Sequence, residues 1–429
     1  MEHFAEIRRM LSVSARQHRP VRGKGGGRVW RRLVEILRDD GWSSEAERQM
    51  ALAYLGVHLS SWDDETRIIT PGKNMPLHVF FRSFYEQEPF WEIVRTLRLN
   101  GHSFVDDELL HLDAPASQKS ITQLHLSSCH LSKDDLDILF SSGGWPALRK
   151  LMLAGNYMQK AGAEVLARAP QLSTLEALHL PHTGSEEGVV ALAKSPHLRS
   201  LHVLNVDHCF FNPATVVKVA ECEGWPDLED LSLGGLRGGS SGKTDWIKAW
   251  SGHPMWDSLQ ALSMESSVLT ADNFKKLLKA WRLPQLRALN MSNNPIGDQG
   301  VEELLKWSGL ELLESLSLSH CSIRSRGLER ILESPRLQHL RSLSLDGNHW
   351  ELKEYKKLVS APYLSSLTHL NVSSVFSNVN MLEVFLETTG LESLQELRIK
   401  PLYYHNGAAY RELVKKLKST ERFAAVKII

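Results

Sequence analysis

The sequence predicts an α/β solenoid: a right-handed, horseshoe-shaped stack of strand–helix repeats with a parallel sheet on the concave side, helices on the convex side and an N-terminal helical cap. Three observations carry this. The phrase L-x-x-L-x-L recurs as ITQLHL, LRKLML, LEALHL, LEDLSL, LRALNM, LESLSL and LRSLSL. With its second apolar residue as anchor, the phrase sits at Leu97, Leu124, Leu151, Leu178, Leu204, Leu231, Leu262, Leu289, Leu316, Leu343, Leu370 and Leu397, a spacing of 27 broken only by one 26 and one 31. Lastly, apolar residues recur 12, 15 and 16 positions beyond the anchor, as in Leu136, Leu139 and Phe140 or Leu328, Ile331 and Leu332.

Each half of the unit follows from its period. Around the anchor apolar and polar residues alternate, which buries one face of a strand. Farther on, the 3- and 4-residue steps put one face of a helix inward. A single unit cannot bury its apolar face, whereas stacked neighbours share a continuous core. The phrase and the period resemble those of leucine-rich-repeat proteins, whose units run ~20–29 residues. The long helical half resembles the ribonuclease-inhibitor-like subclass, and LESPRLQHLRSLSLDGN resembles repeats of bacterial leucine-rich-repeat proteins. Five residues past the anchor is the position that such repeats usually fill with Asn or Cys. Here it holds Cys129, Asn156, Thr183, Cys209, Leu236, Ser267, Asn294, Cys321, Asn348 and Val375. The resemblance makes Cys129, Asn156, Cys209, Asn294, Cys321 and Asn348 a structural ladder that donates to backbone carbonyls where the chain leaves the strand.

The chain then divides into residues 1–90, a helical capping region with a basic flexible segment; residues 91–403, about twelve repeats; and residues 404–429, a closing helix and strand. In the cap, one helix is expected over Val29–Arg38 with Trp30, Leu33, Val34 and Leu37 inward, and a second over Ser44–Leu59 with Met50, Tyr54 and Leu55 inward. At the other end Tyr410, Leu413, Val414 and Leu417 form a helical stripe, and FAAVKII reads as a last strand.

Composition narrows the function. The 429 residues carry 50 Lys or Arg and 50 Asp or Glu, so no bulk charge favours nucleic acid or an anionic membrane. No stretch approaches the ~20 apolar residues of a membrane span. Four cysteines are too few for a disulfide framework, and the three at ladder positions must stay reduced, so a cytoplasmic location is expected. They lack C-x-x-C spacing, so no metal is expected.

GGSSGKT, Gly238–Thr244, imitates a phosphate loop, but Arg237 stands where the first glycine is required. Acidic pairs at Asp106–Asp107, Asp134–Asp135, Glu186–Glu187 and Glu302–Glu303 are expected at helix starts, where the dipole favours them. No catalytic residue and no cofactor is assigned. Positions one, three and four past the anchor border the concave sheet and place His125, Met152, His179, His182, Asn205, Asp207 and His208 on a recognition patch. Register puts His125 and His179 roughly 10 Å apart, too far to share one metal. In the second half the matching column is small and adaptable: Ser232, Ser263, Asn290, Ser317, Ser344 and Asn371. Trp250, Trp281 and Trp307 share one phase, and with Trp246 and Arg237 of the enlarged repeat they mark a lateral surface.

These features predict a non-enzymatic scaffold that binds a protein partner through a pre-organised curved surface, with no small-molecule substrate and no cofactor. One alternative is a regulator of an enzyme, an inhibitor or a GTPase activator, acting through Arg237. The other is an anionic-ligand or nucleic-acid binder using the segment Arg16–Arg32, which lies in a stretch with nine Lys or Arg and no acid between Ile7 and Val34. Aromatic interleaving there is confined to Trp30, which disfavours single-stranded nucleic acid.

Overall fold

A computed structural model describes residues 2–15, 24–39, 41–60, 62–71, 77, 80, 91–104, 108–113, 119–141, 144–209, 212–222, 224–236, 245–251, 253–373, 379–399 and 407–429. The chain forms two compact units, Met1–Val203 and Leu204–Ile429.

The first unit opens with three helices, Glu2–Ala15, Lys24–Arg38 and Glu45–Leu59. Ile7, Leu11, Trp30, Leu33, Leu37 and Leu55 form its buried seam. The second helix reaches back to Lys24 through Gly25–Gly27, so the glycine-rich end of the basic segment is helical rather than flexible there. The buried Trp30 face outweighs the ~1 kcal/mol that each glycine costs a helix. Met50, expected inward, is 57% exposed, because the buried stripe of its helix runs through Ala51, Leu52, Leu55 and Leu59 instead. Trp30 Nε1 donates to the Ile68 carbonyl, which ties the helices to strand β1, Ile68–Ile69. Arg67 is buried and donates to the carbonyls of Ile93 and Leu59, at 2.7 and 3.3 Å. Burial pushes its guanidinium down to about 10.

Strand β1 pairs in parallel with β2, Thr96–Arg98, one strand earlier than the leucine phrase indicates. Then follow β3, Gln123–His125, β4, Lys150–Met152, and β5, Ala177–His179, each parallel to the last with anchor opposite anchor. The helices Lys133–Ser141, Gln159–Arg168 and Glu186–Ala193 return the chain. Ser185 caps the last of these by accepting from Gly188 N, and the bare Gly188 lets it approach Ala163 of the preceding helix. The division between the units falls inside β6, Val203–Asn205.

The second unit continues with β7, Asp230–Ser232, β8, Ala261–Ser263, β9, Ala288–Asn290, and β10, Ser315–Ser317. It ends with β11, Ser342–Ser344, β12, His369–Asn371, β13, Glu396–Arg398, and β14, Lys427–Ile428. These are parallel and in register from β7 to β14. The closing helix is Gly407–Ser419, with Leu413 and Leu417 buried, and β14 is the expected last strand. Both units are therefore runs of solenoid repeats, as the 27-residue register requires.

Two devices recur in the repeats. The first is the ladder. Asn156 Nδ2 donates to Leu126 O and Leu153 O while its Oδ1 accepts from Cys129 N and Leu131 N, all at 2.8–3.1 Å. Asn294 and Asn348 repeat this pattern. The thiols of Cys129 and Cys321 donate to Leu99 O and Met291 O, at 3.1 and 3.2 Å. Cys209 is buried at the same phase, its Sγ near Asp207 O. Leu236 has no side-chain donor, but its amide still meets the next ladder residue, Ser267 Oγ, at 3.3 Å. Burial pushes the Cys129 and Cys321 thiols up to about 11 and about 12. Native protein at pH 8 is accordingly expected to alkylate at the half-buried Cys222 first, with Cys129, Cys209 and Cys321 reacting only after urea unfolds the chain. Peptide mapping of labelled cysteines checks this.

The second device is the turn. The residue four past the anchor is left-handed at Gly101, Ser128, Gly155, His182, His208, Gly235, Ser266, Asn293, His320 and Gly347, with φ between 52° and 78°. Such a turn follows every described strand end of this phase and aims the next residue, the ladder position, back into the core.

The acidic pairs divide. Asp134–Asp135 and Glu186–Glu187 lie in first helical turns as expected. Glu302–Glu303 do not: their helix, Gly297–Leu304, starts earlier, and Asp298 is its first-turn acid. Glu303 instead joins Lys275 and Lys306, at 3.2 and 3.1 Å. Asp106–Asp107 lies outside the described residues.

Candidate functional site

The open face of the strands carries the candidate site, and each unit presents its own. In the first unit, register sets Arg98 beside His125, His125 beside Met152 and Met152 beside His179. Strands stand ~4.8 Å apart, so these four side chains form a row about 14 Å long. Lys150 lies one step before Met152, with Glu65 3.5 Å from its Nζ. Arg98 is exposed. The twelve positions one before, one after and three after the anchors of β2 to β5 hold Arg98, Lys150 and two histidines, but no acid and no Phe, Tyr or Trp.

His125 is 9% exposed, with Nε2 3.4 Å from Gln123 Oε1. Burial first, then the charges of Arg98, Lys150 and His179, hold its imidazole down at about 4. It is therefore neutral at pH 7. Because the unfolded ring titrates near 6.5, the unfolded chain takes the proton first as pH falls, and stability should drop between pH ~6.5 and ~4. After allowance for solvent reaching part of the ring, the loss attributable to this group is about 2 kcal/mol. His125→Gln should remove that part of the acid dependence, as measured by urea unfolding at pH 7 and pH 4.5.

The remaining patch residues are placed differently. His182 is exposed in the left-handed turn after β5. Asn205, Asp207 and His208 belong to the second unit. Asn205 Oδ1 accepts from Asp207 N at 3.0 Å, and His208 occupies the next left-handed turn. Asp207 is clamped: both carboxylate oxygens accept from Ser232 Oγ at 2.8 Å, and Gly234 N donates to Oδ1. Asp230 lies nearby, its carboxyl raised by desolvation and then by the like charge of Asp207.

The column of small residues is not adaptable in the way its composition suggests. Asn290 Nδ2 donates to Ser263 Oγ and Glu265 Oε2, both at 3.2 Å. Ser292 joins Asn290 to Ser317, Ser317 lies 3.4 Å from Ser319, and Ser319 donates to Ser344 at 3.0 Å. Asp346 then accepts from Ser344 and Asn371, both at 2.9 Å. The hydroxyls are already committed to one another across β8 to β12. This face is acidic: the equivalent positions of β7 to β12 hold Asp230, Glu265 and Asp346 and no Lys or Arg. The spacing of single side chains was legible, but the cross-strand bonding was not, since it depends on rotamers.

Of the lateral residues, one is corrected. Trp246 is 1% exposed, packed inside its repeat because the apolar side of helix Asp245–Ser251 must face the core, so it offers no contact surface. Trp281 and Trp307, 7% and 6% exposed, meet edge to face with centroids 6.3 Å apart. They border a cleft of about 390 Å³ with Asp257, Arg282, Pro284 and Leu312. Trp250 lies in helix Asp245–Ser251, but its side chain, like Arg237 and Gly238–Thr244, lies outside the described residues. So does Arg16–Gly23 of the basic segment, while Arg32 is paired with Glu6 and Glu35 at 2.9 and 3.2 Å. Among the described residues no three His, Cys, Asp or Glu are placed to hold a metal ion, and no helix is long and apolar enough to cross a membrane.

Residues 283–305 and 310–332 match a family model described as Leucine Rich repeat. No curated protein matches the chain in sequence. Among solved structures, the chain is similar to the Rad7 and Elc1 complex in yeast, at 16% identity, covering 94% of this chain and 92% of that one, with a TM-score of 0.45. It is also similar to an internalin (inlF) from Listeria monocytogenes, at 19% identity over 68% and 71% of the two chains, with a TM-score of 0.38. A third similar structure is a TLR13–ssRNA13 complex, at 16% identity over 74% of this chain and 53% of that one, with a TM-score of 0.36. With its phrase register, its parallel strands and its Asn/Cys ladder, the chain is built of leucine-rich repeats, two of which match the family model directly.

Proposed function

We infer that the protein is a non-enzymatic interaction scaffold that recognises a protein partner through the open face of its strands. The observation that supports this best is the row Arg98–His125–Met152–His179, four side chains of three chemical kinds held in register by backbone pairing. A row fixed by the sheet gives up little freedom on binding, so it recognises at low ordering cost. The ribonuclease-inhibitor-like subclass is part of this reading, as is a cytoplasmic location, where the ladder thiols stay reduced.

The test is affinity capture from the native source with the full chain and with His179→Asp, followed by identification of the bound protein. Capture of a defined partner by the native chain, lost in the folded variant, supports the reading. Equal capture by both overturns the assignment of this face.

A further inference from the structure

We propose that the row on β2 to β5 takes an extended acidic segment of the partner, with two carboxylates flanking one apolar side chain. The inference rests on the reading of this face as protein-binding and names the chemistry of what it binds. Its ground is charge complementarity combined with register. The twelve face positions of β2 to β5 include two cations, two imidazoles and no carboxylate, and every charge acting on the His125 ring is positive. Among the described residues, two acids approach from outside the strands: Glu65, 72% exposed, lies 3.5 Å from Lys150 Nζ, and Asp64 accepts from Thr122 Oγ1 at 2.6 Å, just before β3.

The dimensions select the ligand. Arg98 and His179 stand three strand spacings apart, about 14 Å, with Met152 between them. An extended peptide advances ~3.3 Å per residue and points alternate side chains to one side. Acid, apolar and acid at positions i, i+2 and i+4 therefore span about 13 Å. One carboxylate meets the Arg98 guanidinium, the other the His179 imidazole, and the middle side chain falls between His125 and Met152, within reach of the thioether, a polarizable group that adapts to varied apolar shapes. Single-stranded nucleic acid is the other anionic class, but it is favoured by broad rings on which bases stack, and this row holds no Phe, Tyr or Trp. The second unit supplies an internal contrast, because the matching positions of β7 to β12 carry Asp230, Glu265 and Asp346 without a Lys or Arg, so an acidic segment is repelled there.

The experiment uses the full chain and three fluorescent probes: a nine-residue peptide with glutamates flanking a leucine at alternate positions, the same peptide with lysines for glutamates, and a single-stranded RNA oligonucleotide. The glutamate peptide should bind, with affinity falling at least fivefold between 50 and 300 mM salt. Arg98→Glu should weaken it at least tenfold, and Arg98→Lys by less, while Asp346→Asn in the second unit should leave it unchanged. Circular dichroism confirms that each variant is folded. No binding of the glutamate peptide, binding indifferent to Arg98→Glu, or tighter binding of the lysine peptide or the RNA overturns the inference. None of these outcomes alters the capture result with His179→Asp, so failure of this inference and failure of the scaffold reading are separable.

Discussion

Replacing Asn294 by Ala should cost the second unit about 4 kcal/mol. The side chain is fully buried, and its Oδ1 is the partner of Ser267 N and Leu269 N, at 3.0 and 2.9 Å. Its Nδ2 donates to Met264 O and Met291 O, at 2.8 and 2.9 Å. Truncation strands two buried amides, each worth about 1–3 kcal/mol when left unpaired, and removes a donor from two carbonyls. Met291 O keeps the Cys321 thiol, which limits the loss. Asn294→Cys should fall between the native chain and Asn294→Ala, because a thiol donates but cannot bridge the two amides as the amide oxygen does. Urea unfolding followed by circular dichroism measures both. A loss under 0.5 kcal/mol for Asn294→Ala contradicts the ladder account, since that is the scale of an ordinary surface change.

Tyr355→Ala should have a comparable effect through a different cause. The ring is fully buried, stacks on Trp350 with centroids 4.9 Å apart and meets Phe385 edge to face at 6.2 Å. Its hydroxyl donates to Val372 O at 3.0 Å, bridging helix Leu352–Val359 to the end of β12. Loss of a buried aromatic costs about 3–5 kcal/mol through lost transfer energy and the cavity left behind. Tyr355→Phe keeps the ring and frees only one carbonyl, so it should cost about 1 kcal/mol. The same unfolding measurement separates the two variants. Equal losses would mean that the hydroxyl, not the packing, dominates.

The repeats are legible in the sequence because their determinants are local and periodic. An anchor such as Leu151 is identified by its neighbours within three residues, and the next unit by a fixed count. The ladder position follows from the same count, although the acceptor half of its work, Asn156 Oδ1 bridging Cys129 N and Leu131 N, becomes visible only when two units are stacked. Strand β1 escapes the count because Ile68–Ile69 lacks the leucine phrase, and its place is set by pairing with β2. The left-handed turn at His182 and His208 was also hidden: in other repeats glycine marks it, but histidine, serine and asparagine do not announce a positive φ.

The candidate site was legible as positions, not as environments. Register placed His125, Met152 and His179 correctly, since counting residues suffices for that. Counting does not show that Asp207 is occupied with Ser232 and Gly234, or that Trp246 faces the core, because both depend on neighbours a full repeat away. The contrast between the face of β2 to β5 and that of β7 to β12 likewise disappears in the zero net charge of the whole chain and emerges only when side chains are sorted by face.

The central claim, that the face of the strands and not the helical side meets the partner, is tested most directly by a charge-swap scan of the captured complex. Arg98→Glu and Lys150→Glu alter the strand face of the first unit, whereas Lys160→Glu and Lys194→Glu alter exposed positions on or beside its helices. The account predicts that the partner is lost from the first pair and retained by the second, with all four variants folded. Loss confined to Lys160→Glu and Lys194→Glu would contradict it.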